Sequence, residues 1–268
     1  MFAGFNISLS DLAFNGHDNY DSGNKLFEDY KNVSRKALKD YVITDGVINA
    51  SKLEKDWFPS VDADIFLSHS HKDERLAIEF AGWLYDVFGV KTFIDSCVWG
   101  YADDLLDQIN DHYSLKHYEE DGSKTYCYGK TNNASAHVNM ILNGALAKMI
   151  DNTECLFFFN TPNSISVKQS VDKTYSPWIY SELLLSSIVE HKSLSEYRKS
   201  VSAKRKLYQF DESEQLAIEY KAYTNHLGLL EVSDLSFWKE INGNNRVSWK
   251  SLDKLYKIMG LIKVPIYG

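Results

Sequence analysis

One carboxylate and one indole, four residues apart, are the side chains in this chain best suited to chemistry. In the stretch Ser-Pro-Trp-Ile-Tyr-Ser-Glu at residues 176–182, Trp178 and Glu182 fall on the same face if the segment is helical. The signals for a helix start are local. Ser176 can accept from the first free N–H groups, and Pro177 suits the first helical position. A polyaromatic strand, Glu-Cys-Leu-Phe-Phe-Phe-Asn at residues 154–160, comes just before, with a polar loop between. An acid beside a large ring, one turn into a helix at the exit edge of a sheet, suits chemistry on a flat, cationic heterocycle. The bland alternative is a Trp in the core and a Glu in water, the ordinary burial habit of each.

The elements that must position this pair form a βα series. Residues 64–67 predict a short buried strand that runs into the polar group Ser-His-Ser-His-Lys-Asp at 68–73. Leu76, Phe80, Trp83, Leu84 and Val87 mark an amphipathic helix stopped by Gly89. Residues 90–94 predict a second strand ending at Asp95, with a loop from Ser96 to Ala102 that carries Trp99 and Tyr101. Asp103 and Asp104 then open a helix. Val138, Ile141, Leu142, Leu146 and Met149 mark another, and the strand at 154–159 with the helix from 177 completes a third unit. Alternating strands and helices of this kind make a parallel sheet covered on both faces. Ligands of such sheets bind beyond the carboxyl ends of the strands. Ser68, His69, Asp95 and the Trp178–Glu182 pair all fall there, as does Trp99, so the expected site is an open cleft with one carboxylate and aromatic walls.

The rest of the chain is less patterned. Residues 1–24 are polar, rich in Asn, Asp and Gly, and read as loosely ordered at the tip. Residues 25–41 have helical spacing, residues 42–48 surround an Asp45-Gly46 turn, and Ser51 with Glu54 resembles a capping box. Residues 1–61 are expected as an N-terminal extension packing on a main domain at 62–268. That domain carries a polar, Tyr-rich insertion at 112–134, read as a hairpin on the surface, and a divergent C-terminal part. The basic run at 191–206 reads as a solvated helix face. Residues 216–220 and 227–232 read as strands, and Trp249, Leu252, Leu255 and Met259 as a last helix ended by Gly260.

Composition excludes several classes. Of 268 residues 44% are hydrophobic and 25% charged, ordinary for a globular chain with a normal core. A net charge of −8 argues against nucleic acid or an anionic membrane as partner. Three cysteines, an odd number without a CxxC pair, imply reduced thiols and a cytoplasmic location. The first residues lack a basic start, and no apolar run reaches the length of a membrane span. His112, His117 and Cys127 match no zinc spacing, so no metal is expected.

The residues just quoted carry a resemblance. Asp-Ile-Phe-Leu-Ser-His at 64–69 resembles the first signature box of the TIR (Toll/interleukin-1 receptor) domain family. Phe-Ile-Asp at 93–95 with its following loop resembles the second strand and BB loop, and Trp178-x-x-x-Glu182 the WxxxE pattern of the catalytic helix. The similarity spans about residues 62–190. It implies a flavodoxin-like α/β fold, a parallel sheet with helices on both faces. In enzymatic members it implies cleavage of NAD as substrate, with no separate cofactor. Glu182 would then be the catalytic group, with Phe66, Ser68, His69, Asp95, Trp99, Tyr101 and Trp178 lining the substrate site. Nicotinamide leaves NAD from a cationic state, so no general acid is needed and one carboxylate could stabilise the oxocarbenium-like charge, where ordinary glycosidases need two. Depending on the nucleophile, the product would be ADP-ribose, a cyclic isomer or a conjugate. A stand-alone bacterial TIR protein is similar to the signal-producing component of Thoeris-type antiphage systems. That likeness implies a downstream effector sensing the product and self-association through TIR surfaces. Two departures stand out: the second box has Gly100 without a Pro, and the 112–134 insertion is unusual. A non-catalytic TIR docking module and a nucleoside deoxyribosyltransferase-like enzyme are the alternatives. The enzymatic reading requires Glu182 to face an open crevice rather than a closed internal ion pair.

Overall fold

The computed structural model describes residues 1–8, 19–31, 48–58, 61–165, 173–199 and 220–263. Strands β1 (Ala3–Ser8), β2 (Ile65–Ser68), β3 (Thr92–Ile94), β6 (Cys155–Asn160) and β9 (Gly228–Leu230) form one sheet in the order β3-β2-β6-β1-β9. Every pairing in it is parallel. The other strands are two small pairs, β4 (Leu115–Tyr118) with β5 (Lys124–Tyr126), and β7 (Lys173–Thr174) with β8 (Tyr220–Lys221). The inner strands are continuous apolar runs, Ile-Phe-Leu in β2 and Cys-Leu-Phe-Phe-Phe in β6, as a sheet covered on both faces requires.

Register assigns the faces. Phe5 lies beside Phe157 on one face, where Phe80 of α3 (Glu74–Phe88) and Tyr256 of α9 (Ser248–Ile258) pack against them. Ser68 and Phe66 point to the other face, where α6 (Pro177–Ile188) reaches Ser68. Helix α5 (Tyr128–Asn152) packs against α6 and α4 (Ser96–Ile109). The expected flavodoxin-like α/β architecture is therefore present. Its strand order departs in one respect. A flavodoxin-like sheet runs 2-1-3-4-5, and β3, β2 and β6 follow the first three places. The fourth is taken by β1 from the start of the chain, and the fifth by β9.

This corrects the reading of residues 1–24 as loosely ordered for residues 1–8, and it puts β1 within the sheet of the domain expected to start at 62. The strand Ala-Gly-Phe-Asn-Ile-Ser buries alternate residues between β6 and β9. Helix α1 (Tyr20–Lys31) also belongs to the main body, crossing α3 at two glycines. A Cβ on Gly82 would stand 1.9 Å from the Asn19 carbonyl, and one on Gly23 would stand 1.9 Å from that of Ile78. Helix α2 (Ala50–Trp57) is capped by Asn49, which accepts from the Lys52 N–H at 3.0 Å, so Ser51 is not the cap. The Asp45-Gly46 turn and residues 216–219 lie outside the described residues.

The insertion does contain a hairpin, β4 with β5, between a π turn at residues 110–114 and α5, which begins earlier than its apolar spacing indicates. An unanticipated helix, α8 (Val232–Asn242), docks Trp238 on Phe88 with ring centroids 3.8 Å apart. Within the described part of the basic run, Arg198 is not on a solvated face. Arg198 of α7 (Leu194–Lys199) is buried between Glu154 and Asp253 and donates to Glu154 Oε1 at 3.0 Å. Among the described residues no helix is long and apolar enough to cross a membrane.

Candidate active site

Helix α6 starts as its sequence dictates. Ser176 caps it, accepting from the Ile179 N–H at 3.3 Å, and Pro177 occupies the first turn. The buried face of the helix carries Trp178, Glu182 and Ser186, spaced four residues apart. Trp178 is 7% exposed and Glu182 0%, so the alternative that leaves the Glu in water is excluded.

What Glu182 meets is fixed by two adjacent parallel strands. β2 and β3 pair Leu67 with Ile94, which sets their next residues, Ser68 and Asp95, side by side at the carboxyl edge. Ser68 Oγ donates to Glu182 Oε2 at 2.5 Å, a contact between residues 114 apart in the chain. His69 Nδ1 stands 2.6 Å from Asp95 Oδ1. The same Asp95 oxygen accepts from the Ser96 N–H at 2.9 Å and caps α4. The Asp95 and Glu182 carboxyls lie close enough that each shifts the protonation of the other. Ser68, His69, Asp95 and Glu182 thus form one cluster with every member at 0% exposure.

Burial governs its protonation. It pushes the Glu182 carboxyl well above the usual carboxylate range, and the neighbouring Asp95 adds to the shift. Burial likewise raises Asp95 to about 8 and lowers His69 to about 4. Among the described residues Glu182 Oε1 and Asp95 Oδ2 find no donor. Two carboxyls in contact cannot both be ionised at low cost, and a proton held between them supplies the missing donor. Burial therefore favours the uncharged forms of Glu182, Asp95 and His69 alike.

Of the residues singled out from sequence, Ser68, His69, Asp95, Glu182 and Trp178 are at the carboxyl edge of β2 and β3 or on the α6 face directed at it. Phe66 is a core residue, 0% exposed and 5.5 Å from the Phe93 ring, so it is not a free wall for a ligand. The loop expected from Ser96 to Ala102 is instead the first turns of α4, because Asp95 caps it and no proline interrupts it. Trp99 and Tyr101 belong to that helix, and their side chains lie outside the described residues. The open crevice expected beside Glu182 is also corrected: the carboxyl is fully enclosed. Sequence reasoning missed a polar latch between the ends of β2 and β6. There Thr161 Oγ1 and Asn163 Nδ2 donate to the Asp73 carboxylate at 2.6 and 2.7 Å. The Thr-Pro-Asn-Ser run after the polyaromatic strand is the only local signal for it. Among the described residues no group of three or more His, Cys, Asp or Glu is arranged to hold a metal ion.

Fold and site together define a flavodoxin-like α/β protein with a buried carboxyl pair at the carboxyl edge of its parallel strands. Compared with protein-family models, curated proteins and solved structures, the chain matches none.

Proposed function

We propose that this protein is a TIR-type enzyme that cleaves the nicotinamide–ribose bond of NAD, with Glu182 as the catalytic carboxylate. One observation carries the reading. A glutamate is placed on the buried face of α6, hydrogen-bonded to Ser68, at the strand edge where parallel sheets bind ligands. A packing role does not call for two carboxyls and an imidazole there, because burying them is costly, and strongly shifted groups gather at reaction centres.

In the proposed reaction Glu182 first gives up the proton it shares with Asp95. The resulting carboxylate steadies the positive charge that grows on the ribose as nicotinamide departs. Ser68 holds Glu182 Oε2 in place, and Asp95 keeps the proton. Trp178 packs beside the ribose or pyridinium. The α6 face must draw away from Ser68 and Asp95 for substrate to enter. Assembly of several copies through TIR surfaces is the proposed route to that open state. A role in antiphage signalling, with the product read by a downstream effector, belongs to the same proposal.

The test is release of nicotinamide from NAD by the purified full chain at low and high protein concentration, followed by mass analysis of the product. Activity that Glu182→Gln abolishes supports the reading, and activity that survives it refutes the assignment. The complete enclosure of Glu182 favours a second reading, a docking module without activity. Absence of nicotinamide at every concentration, together with self-association, would establish that one.

A further inference from the structure

Away from the carboxyl pair, a cavity of about 510 Å³ opens between α2, the π turn at 110–114 and α5. This is within the range of about 300–1,000 Å³ that holds small organic ligands. Its floor is aliphatic: Leu53, Ile109, Ala134 and Ile141 are all buried. Tyr113 adds an aromatic wall from the π turn, a rare insertion that recurs at functional sites. That turn also holds two buried polar atoms, Asn110 Oδ1 and Ser114 Oγ, with no hydrogen bond among the described residues.

The rim differs in kind from the floor. Lys130, Ala134, His137 and Ile141 recur at helical spacing along one face of α5, so the two basic side chains stand beside the apolar ones. Lys130, Asn133 and His137 are exposed, and among the described residues no acidic side chain lines the cavity. In a chain of net charge −8 this basic rim on α5 is a local reversal of sign.

We infer that this cavity binds a small amphipathic anion, an apolar or aromatic body bearing one carboxylate or sulfonate. The body fills the floor, and the head group meets Lys130 and His137, with Asn133 as a hydrogen-bond donor. The inference is independent of the chemistry assigned to Glu182.

The probe is 8-anilinonaphthalene-1-sulfonate, with N-phenyl-1-naphthylamine as the same body without the charge. Full-length protein carrying ¹³C-methyl isoleucine is titrated with each. Saturable one-to-one binding of the sulfonate, with the Ile109 and Ile141 methyl signals shifting, is the expected result. Lys130→Glu, on the exposed rim, weakens the sulfonate about fivefold and leaves the neutral probe unchanged. Ala134→Trp fills the floor and removes binding of both, while its circular dichroism stays that of the folded protein. Binding that shifts neither methyl, or that Lys130→Glu does not weaken, overturns the assignment.

Discussion

Replacing Glu182 by Gln separates chemistry from packing. The amide has the volume of the carboxyl it replaces. Its oxygen still accepts from Ser68 Oγ, and its NH₂ gives Asp95 the donor that the shared proton supplies in the parent protein. Burial favours the protonated form of Glu182, so the neutral amide is its nearest match in charge. The change in stability is expected within about 1 kcal/mol, a Tm shift of about 2–4 °C for a chain of this size. Glu182→Ala differs. It leaves Ser68 Oγ and Asp95 without partners and opens a void, and at about 1–3 kcal/mol for each orphaned group it should cost about 3–5 kcal/mol. The pH dependence follows from the direction of the shifts. Both carboxyls are raised above their unfolded value of about 4. Their protonated pairing stabilises the fold fully below that pH, and the benefit is lost as pH rises toward about 8, the Asp95 value. Glu182→Gln leaves one carboxyl to ionise in place of two, so its Tm gains on the parent's from pH 5 to pH 9. Nicotinamide release should fall by at least about a hundredfold at every pH. Calorimetry across pH and an NAD turnover assay supply both readings. A Gln variant that melts below the parent at pH 9, or that turns over NAD at the parent rate, refutes the reasoning.

Three further outcomes are expected. His69, lowered to about 4 by burial, stabilises the fold above its unfolded value of about 6.5 and loses that contribution as pH falls to about 4. His69→Gln should therefore melt with a shallower dependence on pH across that window, followed by circular dichroism. Gly82→Ala forces a methyl to within 1.9 Å of the Asn19 carbonyl, so α1 must lift from α3 at a cost of about 1–3 kcal/mol, read as a lower denaturant midpoint. Arg198→Met leaves Glu154 and Asp253 buried without their cation and should cost about 3–5 kcal/mol, whereas the triple change that also makes both acids apolar should recover much of it.

Local signals carried the sequence reading where they were strong. The Ser176 cap with Pro177, the apolar stripe of α3 ended by Gly89, and the last helix ended by Gly260 all stand as expected. Misses came from long-range partners. The alternation in Ala-Gly-Phe-Asn-Ile-Ser is a strand signal, but a short one opening a polar stretch, and its sheet neighbours are far along the chain. Asp95 reads as a loop residue until its side chain is seen to cap α4. Arg198 sits among lysines and looks solvated, since Glu154 and Asp253 are distant in sequence. The gathering of Glu182 with Ser68 and Asp95 follows from strand order and was legible. The enclosure of the carboxyl depends on how closely α6 sits on the sheet, and no spacing encodes that.

The place of β1 has a kinetic consequence. Phe5 pairs with Phe157 on one side and Gly228 on the other. Strand β1 therefore cannot settle between its neighbours until β9, far along the chain, has been made. Its partners are remote, so closing the sheet carries a large loop entropy and refolding should be slow for a protein rich in helices. Until then Ala3, Phe5 and Ile7 remain unprotected, and the gap between β6 and β9 is open to the same strand from another copy. Strand exchange between copies is the hazard this topology carries during synthesis.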